Sequence, residues 1–313
     1  MTTPVLEGRE PWTRMVVAIS GSSGLVGSAL VKSLESRGNH VRRIVRGTPA
    51  GATDIAWDPA RGTIDGESLE GLDAVINLAG ENLAQRWTRD ARRRIRDSRV
   101  GGTATLARAL AGMRTKPRVF LSASAVGIYG SRGDEVLDER SPAGSDFLAD
   151  ICVAWEAATA PAADAGIRVV TLRSGVVLSR DGGALTKLLR PFKLGVGGRL
   201  GSGHQWMSWL SIADYPRIVN ALLANADVTG PVNVVAPNPV TNAELSRTLA
   251  LLLGRPAFFA VPKIALELLM GEMAEDTLLA SQRAIPRRLL DAGFEFQYPT
   301  IESALRPLVT RTA

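Results

Sequence analysis

Residues 15–46 constrain what this chain can fold into more than any other stretch. The apolar run Met15-Val16-Val17-Ala18-Ile19-Ser20 leads into Gly21-Ser22-Ser23-Gly24-Leu25-Val26-Gly27, after which Ala29, Leu30, Ser33 and Leu34 fall at helical spacing up to Ser36. The pattern predicts strand, glycine turn and helix. Gly38 and Asn39 stop the helix, and His40 to Val45 reads as a second strand ending in Arg46. A strand feeding a helix through closely spaced glycines lets backbone N–H groups and the positive helix end approach a pyrophosphate with no Cβ in the way. Glycines at this G-x-x-G-x-x-G spacing also serve ordinary turns; the strand before and the helix after them are what point to a dinucleotide site. Gly21, Ser22, Ser23, Gly24, Leu25, Val26 and Gly27 are therefore expected at the cofactor.

The end of the second strand bears on which dinucleotide is held. An acidic residue there accepts from the ribose 2′-OH of NAD, whereas an arginine pairs with the 2′-phosphate of NADP. The chain has Arg46, with Arg43 nearby and no Asp or Glu between Asn39 and Ala52. The expected cofactor is NADP(H). Arg43 fits equally well as a solvated charge at the strand end.

Composition sets the outer bounds. The 313 residues suffice for one large α/β domain or a core with an appended lobe, and 45% hydrophobic with 22% charged residues is the balance of a globular protein. One cysteine excludes an internal disulfide. Met1 to Arg14 lacks the apolar run of a signal peptide and reads as a mobile extension; no apolar run approaches membrane-spanning length, so a cytoplasmic protein without membrane contacts is expected. The net charge of +6 is concentrated in Arg86, Arg89, Arg92, Arg93, Arg94, Arg96 and Arg99, interrupted by Asp90 and Asp97. That run reads as the solvated face of a helix, with no nucleic-acid-binding motif beside it, so no nucleic-acid partner is expected. The histidines, His40 and His204, form no cluster with metal-ligand spacing, and no metal is expected.

Further along, strands and helices alternate. Leu72 to Gly80 reads as a buried strand ending in Asn77-Leu78-Ala79-Gly80, Arg86 to Met113 as a helix, Arg118 to Ser124 as a strand, Asp146 to Ala165 as a helix capped by Asp146, and Ile167 to Arg173 as a strand. This order predicts a doubly wound parallel sheet of Rossmann type. The dinucleotide-binding core is placed at 15–175, and 176–313 is read mainly as a smaller C-terminal α/β substrate lobe with some segments returning to the core.

The motifs together resemble the extended short-chain dehydrogenase/reductase superfamily, which includes nucleotide-sugar epimerases. Asn77-Leu78-Ala79-Gly80-Glu81, Arg86-Trp87-Thr88, Asp97-Ser98-Arg99-Val100, Ser122-Ala123-Ser124-Ala125-Val126-Gly127, Trp155-Glu156 and the run Gly201 to Trp209 resemble one atypical epimerase-like subfamily, as does the C-terminal region Pro262 to Leu308. The resemblance implies the fold, an NADP-type cofactor and contacts to it from Asn77, Leu78, Ala79, Gly80 and Ser122, and the activity expected of the whole chain is hydride transfer at a carbonyl or secondary alcohol of a small molecule. It leaves the reaction and the oligomeric state open.

Enzymes of that superfamily pair a tyrosine with a lysine four residues on, the lysine lowering the phenol pKa for proton transfer while a serine orients the substrate oxygen. None of Tyr129, Tyr215 and Tyr298 has a lysine four residues on. The pair's positions fall on Ile151 and Trp155 or on Cys152 and Glu156, and Arg99 stands where the superfamily has an asparagine. Ser124 keeps the serine position. Substitute acids or bases are Tyr129 and Glu81, with Glu156 and Cys152 as further candidates; Tyr129 fits equally as a packed aromatic, and Glu81 as a substrate ligand or a partner of Arg86. Arg99 is either an anion clamp or part of the solvated helix face. Substrate contacts are expected from Arg99, Cys152, Arg173, His204, Gln205 and Trp206, the last three beside a glycine-rich loop from Gly195 to Gly203 that reads as a closing lid. A Cys152–His204 nucleophilic pair is a further arrangement to test. The rival to an enzyme is a non-catalytic NADP(H)-responsive binding protein.

Overall fold

The computed structural model describes residues 14–49, 51 and 53–310, so the extension read at the N-terminus lies, apart from Arg14, outside the described residues. Eight strands form the central sheet: β1 (Val16–Ser20), β2 (His40–Arg46), β3 (Ile55–Asp58), β4 (Thr63–Ile64), β5 (Ala74–Asn77), β6 (Val119–Ala125), β7 (Arg168–Ser174) and β8 (Gly230–Val234). Their order is β8-β7-β6-β5-β1-β2-β3-β4, parallel throughout except for the β3–β4 hairpin. Neighbouring strands reverse direction of travel across the sheet between β1 and β5. That switch point opens the crevice at the strands' carboxyl ends where doubly wound sheets bind ligands.

The strands are apolar on both sides because helices cover both faces. Val17 and Ile19 pack with α1 (Leu25–Ser36), and on the same face lie Ile218 and Leu222 of a helix at Asp214–Ala224 and Ala304 and Leu305 of one at Ile301–Val309. Ala18, Val75 and Phe120 face α2 (Arg89–Ala111) through Leu106 and Leu110. Segments from the C-terminal third thus complete one face of the core. Asn39 explains where α1 ends: its Oδ1 accepts from the Met15 N–H at 3.0 Å and its Nδ2 donates to the Leu34 carbonyl, so the start of β1 is pinned to the end of α1.

The helix expected over Asp146–Ala165 is two helices. Asp146 caps α3 (Phe147–Ala157), accepting from the Ala149 N–H at 2.8 Å, and a short α4 (Ala160–Asp164) follows. Pro161 lacks the N–H that a continuous helix would need and fits only near a helix start, so the chain restarts at Thr159. The Gly195–Gly203 stretch is not a free lid. Gly198–Leu200 pairs in parallel with Phe259–Val261, and a Cβ at Gly198 would lie 1.7 Å from the Phe259 carbonyl oxygen, so glycine there serves close backbone approach. Trp206 and Trp209, at helical spacing in the sequence, sit on short strands; only Trp209 is fully buried. Thr241 caps its helix by accepting from the Glu244 N–H, and a reciprocal capping box is made at Thr300 and Ser303. No helix among the described residues is long and apolar enough to cross a membrane.

A buried polar chain fixes the crevice walls. Ser20 Oγ donates to Asn77 Oδ1 at 2.6 Å, Asn77 Nδ2 donates to Thr103 Oγ1 at 2.8 Å, and Trp155 Nε1 donates to the same oxygen at 2.9 Å. It links β1, β5, α2 and α3. Replacing Thr103 by valine keeps the shape and strands two buried donors, each costing about 1–3 kcal/mol, so Thr103→Val is expected to lower stability by about 2–6 kcal/mol. Urea unfolding with an unchanged slope and a lower midpoint is the check.

Candidate cofactor and active site

The glycine turn is shaped by contacts that exclude side chains. Gly21 has φ +70° and a Cβ there would lie 2.9 Å from the Leu78 carbonyl; one at Gly27 would lie 2.1 Å from the Gly21 oxygen. Gly21 thereby lets the turn touch the end of β5, and Gly27 lets α1 pack onto the turn. Gly24 differs, because only the Gly21 oxygen, at 3.3 Å, lies near its Cβ position. It caps α1 without any side-chain hydrogen bond, so the first N–H groups of the helix have no side-chain acceptor at the cap. This cradle fits a pyrophosphate. Ser23 is exposed beside it, Ser22 is buried, and Leu25 and Val26 are half-buried.

The arginines of β2 part company. Arg42 donates to the Thr53 and Ser68 carbonyls and is structural. Arg43 lies 3.7 Å from Glu35, both side chains being about half exposed. Arg46, exposed at the carboxyl end of β2, has no ion pair or side-chain hydrogen bond among the described residues. On the other wall, Leu78 and Ala79 give their backbone N–H groups to Ser20 Oγ at 3.2 and 3.3 Å, which shapes the loop leading to the exposed Gly80. Asn77 and Ser122, expected to touch the cofactor, lie beneath the crevice at 1% and 0% exposure. The Asn77 amide is committed to the polar chain, and the Ser122 hydroxyl is sealed in without a partner.

On α3 the Cys152/Glu156 register is the one that faces β6. Ser124 Oγ donates to Glu156 Oε1 at 2.7 Å, and Arg173 grips the same carboxylate through Nε at 2.8 Å and Nη2 at 2.9 Å. Arg173 also donates to the Tyr129 hydroxyl at 3.1 Å and the Glu139 carbonyl at 3.3 Å, and Tyr129 in turn donates to Asn233 Oδ1 at 2.7 Å. Burial opposes the charge on Arg173, but hydrogen bonding and attraction to Glu156 outweigh it and raise its pKa above that of a free arginine. Arg173 is therefore an internal tie and not a free substrate ligand. Tyr129 is fully buried, and burial pushes its hydroxyl up to about 12, so it packs under the site and is unsuited to proton transfer near neutrality. Cys152 is sealed among Val126, Tyr129 and Leu137, and burial pushes its thiol up to about 12. That removes a nucleophilic role for it.

Glu81 sits at the rim. Its carboxylate accepts from Gln85 at 3.2 Å and lies 3.7 Å from Arg94, not Arg86, while its main chain accepts from Arg99 at 3.0 Å. Arg99 is 9% exposed, so the reading of it as solvated helix surface is overturned. It lies under Gly80 with its guanidinium 5.2 Å from the Trp155 ring.

A family profile described as "NAD dependent epimerase/dehydratase family" matches residues 17–236, and a second, described as a domain of unknown function (DUF1731), matches 261–308. The chain belongs to the NAD dependent epimerase/dehydratase family. The epimerase family protein Mb2239 of Mycobacterium bovis is 46% identical over 299 residues, covering 95% of this chain and 98% of that one. The crystal structure of human epimerase family protein SDR39U1 (isoform 2) with NADPH superposes with a TM-score of 0.86 at 36% identity, over 94% of this chain and 99% of the human one. A chloroplastic homologue from Arabidopsis thaliana is 36% identical over 97% of this chain and 90% of its own length.

The family's C-terminal segment explains the remaining expected substrate ligands. Gln205 donates its amide to the Leu200 and Leu278 carbonyls at 3.1 Å, and Trp206 Nε1 donates to Asp134 at 2.7 Å with Arg283 stacked 4.1 Å from its ring. Both hold the lobe together. His204 is exposed on the loop, whereas Cys152 is buried in the core, so they are not a catalytic pair. Sequence reading missed Glu139, which joins the lobe to the sheet: its Oε1 accepts from the Asn233 and Arg288 backbone N–H groups, and its Oε2 is sealed without a partner. Burial raises its carboxyl pKa, with the backbone donors only partly opposing. A carboxyl whose folded pKa is raised loses stability as pH climbs through that pKa. Glu139→Gln is therefore expected to raise the thermal midpoint at pH 8, with the advantage disappearing as the pH falls below about 4, near the free carboxyl's own pKa.

Proposed function

We propose that the protein binds NADP(H) and carries out an oxidoreductase or epimerase-type reaction at a carbonyl or secondary alcohol of a small molecule. The observation that carries this reading is the uncapped α1 end over Gly24, with the unpaired Arg46 one strand away at the end of β2. Backbone N–H groups at Leu25 and Val26 would hold the pyrophosphate and Arg46 the 2′-phosphate. NADPH in the human relative supports the choice of cofactor. When bound, the cofactor supplies or accepts the hydride.

The proton is assigned to Ser124 and Glu156. In the alcohol-oxidising direction the substrate hydroxyl gives its proton to Ser124 Oγ as Ser124 passes its own to Glu156, and reduction runs in reverse. Arg173 keeps Glu156 oriented for that exchange through two hydrogen bonds. Glu81, committed to Gln85 and Arg94, borders the opening. The rival reading, a non-catalytic NADP(H)-responsive protein, draws support from the commitment of the Ser124 proton to a carboxylate already locked by Arg173.

Fluorescence titration with NADPH and NADH separates these steps. Wild-type protein is expected to prefer NADPH, and loss of a charge-assisted phosphate contact in Arg46→Ala should weaken NADPH by ~10–100-fold with little effect on NADH. Failure of both nucleotides to bind sinks the cofactor reading. NADPH oxidation with a carbonyl panel, abolished in Ser124→Ala and Glu156→Gln while NADPH affinity persists, supports the enzyme; binding without turnover supports the rival.

A further inference from the structure

Arg99 is a buried cation that lacks the partner its burial calls for. Removing a guanidinium from water costs several kcal/mol unless an anion or a full set of acceptors replaces the lost hydration. Arg99 Nη1 donates to the Ile95 carbonyl at 3.2 Å and Nη2 to the Glu81 carbonyl at 3.0 Å. Those two bonds leave three of the five guanidinium N–H groups without a protein acceptor among the described residues. Among the described residues no carboxylate lies within ion-pair distance of it, and burial lowers the arginine's pKa, with attraction to Cys152 and Glu81 only partly opposing.

The buried Arg173 and the half-buried Arg168 show how the fold settles such charges when their role is internal. Arg173 has the two oxygens of Glu156. Arg168 donates to the Leu222, Leu223 and Val228 carbonyls, the first two at the last turn of the Asp214–Ala224 helix, where the macrodipole favours a cation. Arg99 has neither arrangement, since Ile95 is in the interior of α2.

Its position is that of the crevice. The guanidinium lies under the exposed Gly80, at the carboxyl end of β5, where a Cβ would stand 3.2 Å from Cζ; glycine leaves that side uncovered. The ring it stacks against belongs to Trp155, which precedes Glu156, the acceptor of the Ser124 proton, in α3. We propose that Arg99 binds the carboxylate of the substrate, so that the reaction acts on a carboxylic acid carrying a carbonyl or secondary alcohol. A planar carboxylate matches the fork of a guanidinium, here held 5.2 Å over the Trp155 ring. The chemistry rests on the NADP(H) reading, but the carboxylate site does not need it in order to be tested.

The test is isothermal titration of the full chain with oxalate, and with inorganic phosphate at matched ionic strength, with and without NADPH. Oxalate is expected to bind at one site per chain, and Arg99→Gln to weaken it by at least ~10-fold, the loss of one charge-assisted contact. Arg99→Lys keeps the charge without the fork and should retain part of the affinity. Gly80→Ala, which covers the guanidinium with a methyl group, should weaken oxalate in a protein whose Arg99 is intact, and so decides the matter if Arg99→Gln fails to fold. Absent oxalate binding, or oxalate affinity unchanged in Arg99→Gln and Gly80→Ala, overturns the proposal, as does binding of phosphate alone. Oxalate binding in a protein that ignores NADPH leaves the carboxylate site standing and removes the cofactor reading.

Discussion

The hydrogen-bonded chain from Ser20 through Asn77 and Thr103 to Trp155 is the constraint on which the site depends. It joins the strand before the glycine turn, the strand across the switch point and the two helices that wall the crevice. Ser20 also takes the Leu78 and Ala79 N–H groups, so the same hydroxyl that ends β1 positions the loop opposite the turn. With Gly21 in contact with Leu78, the two crevice lips stand at one spacing, set by a glycine contact above and a polar chain below.

The second organising interaction is the largely buried Glu156–Arg173 pair, with the arginine buried and the carboxylate half-buried. A buried pair gains little over apolar packing, but removing one partner strands a charge at a cost of about 3–5 kcal/mol. The pair has Ser124, Tyr129 and the Glu139 main chain as further partners. It therefore connects β6, β7, α3 and the loop that reaches the C-terminal lobe. Where the family resemblance would put a Tyr–Lys pair on this helix, α3 carries Cys152 and Glu156, and Glu156 pairs with Arg173 of β7 while keeping Ser124 as a partner.

The glycine turn, the strand–helix alternation and the place of Arg46 at the end of β2 were legible in the sequence because each is a local matter: backbone freedom at Gly21 and Gly27, periodicity, and the end of a strand. The same locality misled elsewhere. A glycine-rich run reads as a lid, but at Gly198 the missing Cβ admits the Phe259 backbone. Tyr129 and Cys152 stand near the serine strand in sequence and are candidates for chemistry, yet burial pushes both up to about 12. Arg99 could be read from the family motif either as an anion clamp or as solvated helix surface, and periodicity within a run of arginines did not decide between them.

The sequence by itself determined the nucleotide-binding architecture, the family, and the absence of a Tyr-x-x-x-Lys pair, since these depend on residue identity and spacing along the chain. Only the tertiary structure decided that Glu156 meets Ser124 and Arg173, that Arg42 and Arg43 have protein partners near Arg46, and that Arg99 is buried without a carboxylate. These are facts about which side chains lose water together. Desolvation and pairing depend on residues brought in from distant strands and helices, 17 positions away for Arg173 and Glu156 and 104 for Tyr129 and Asn233.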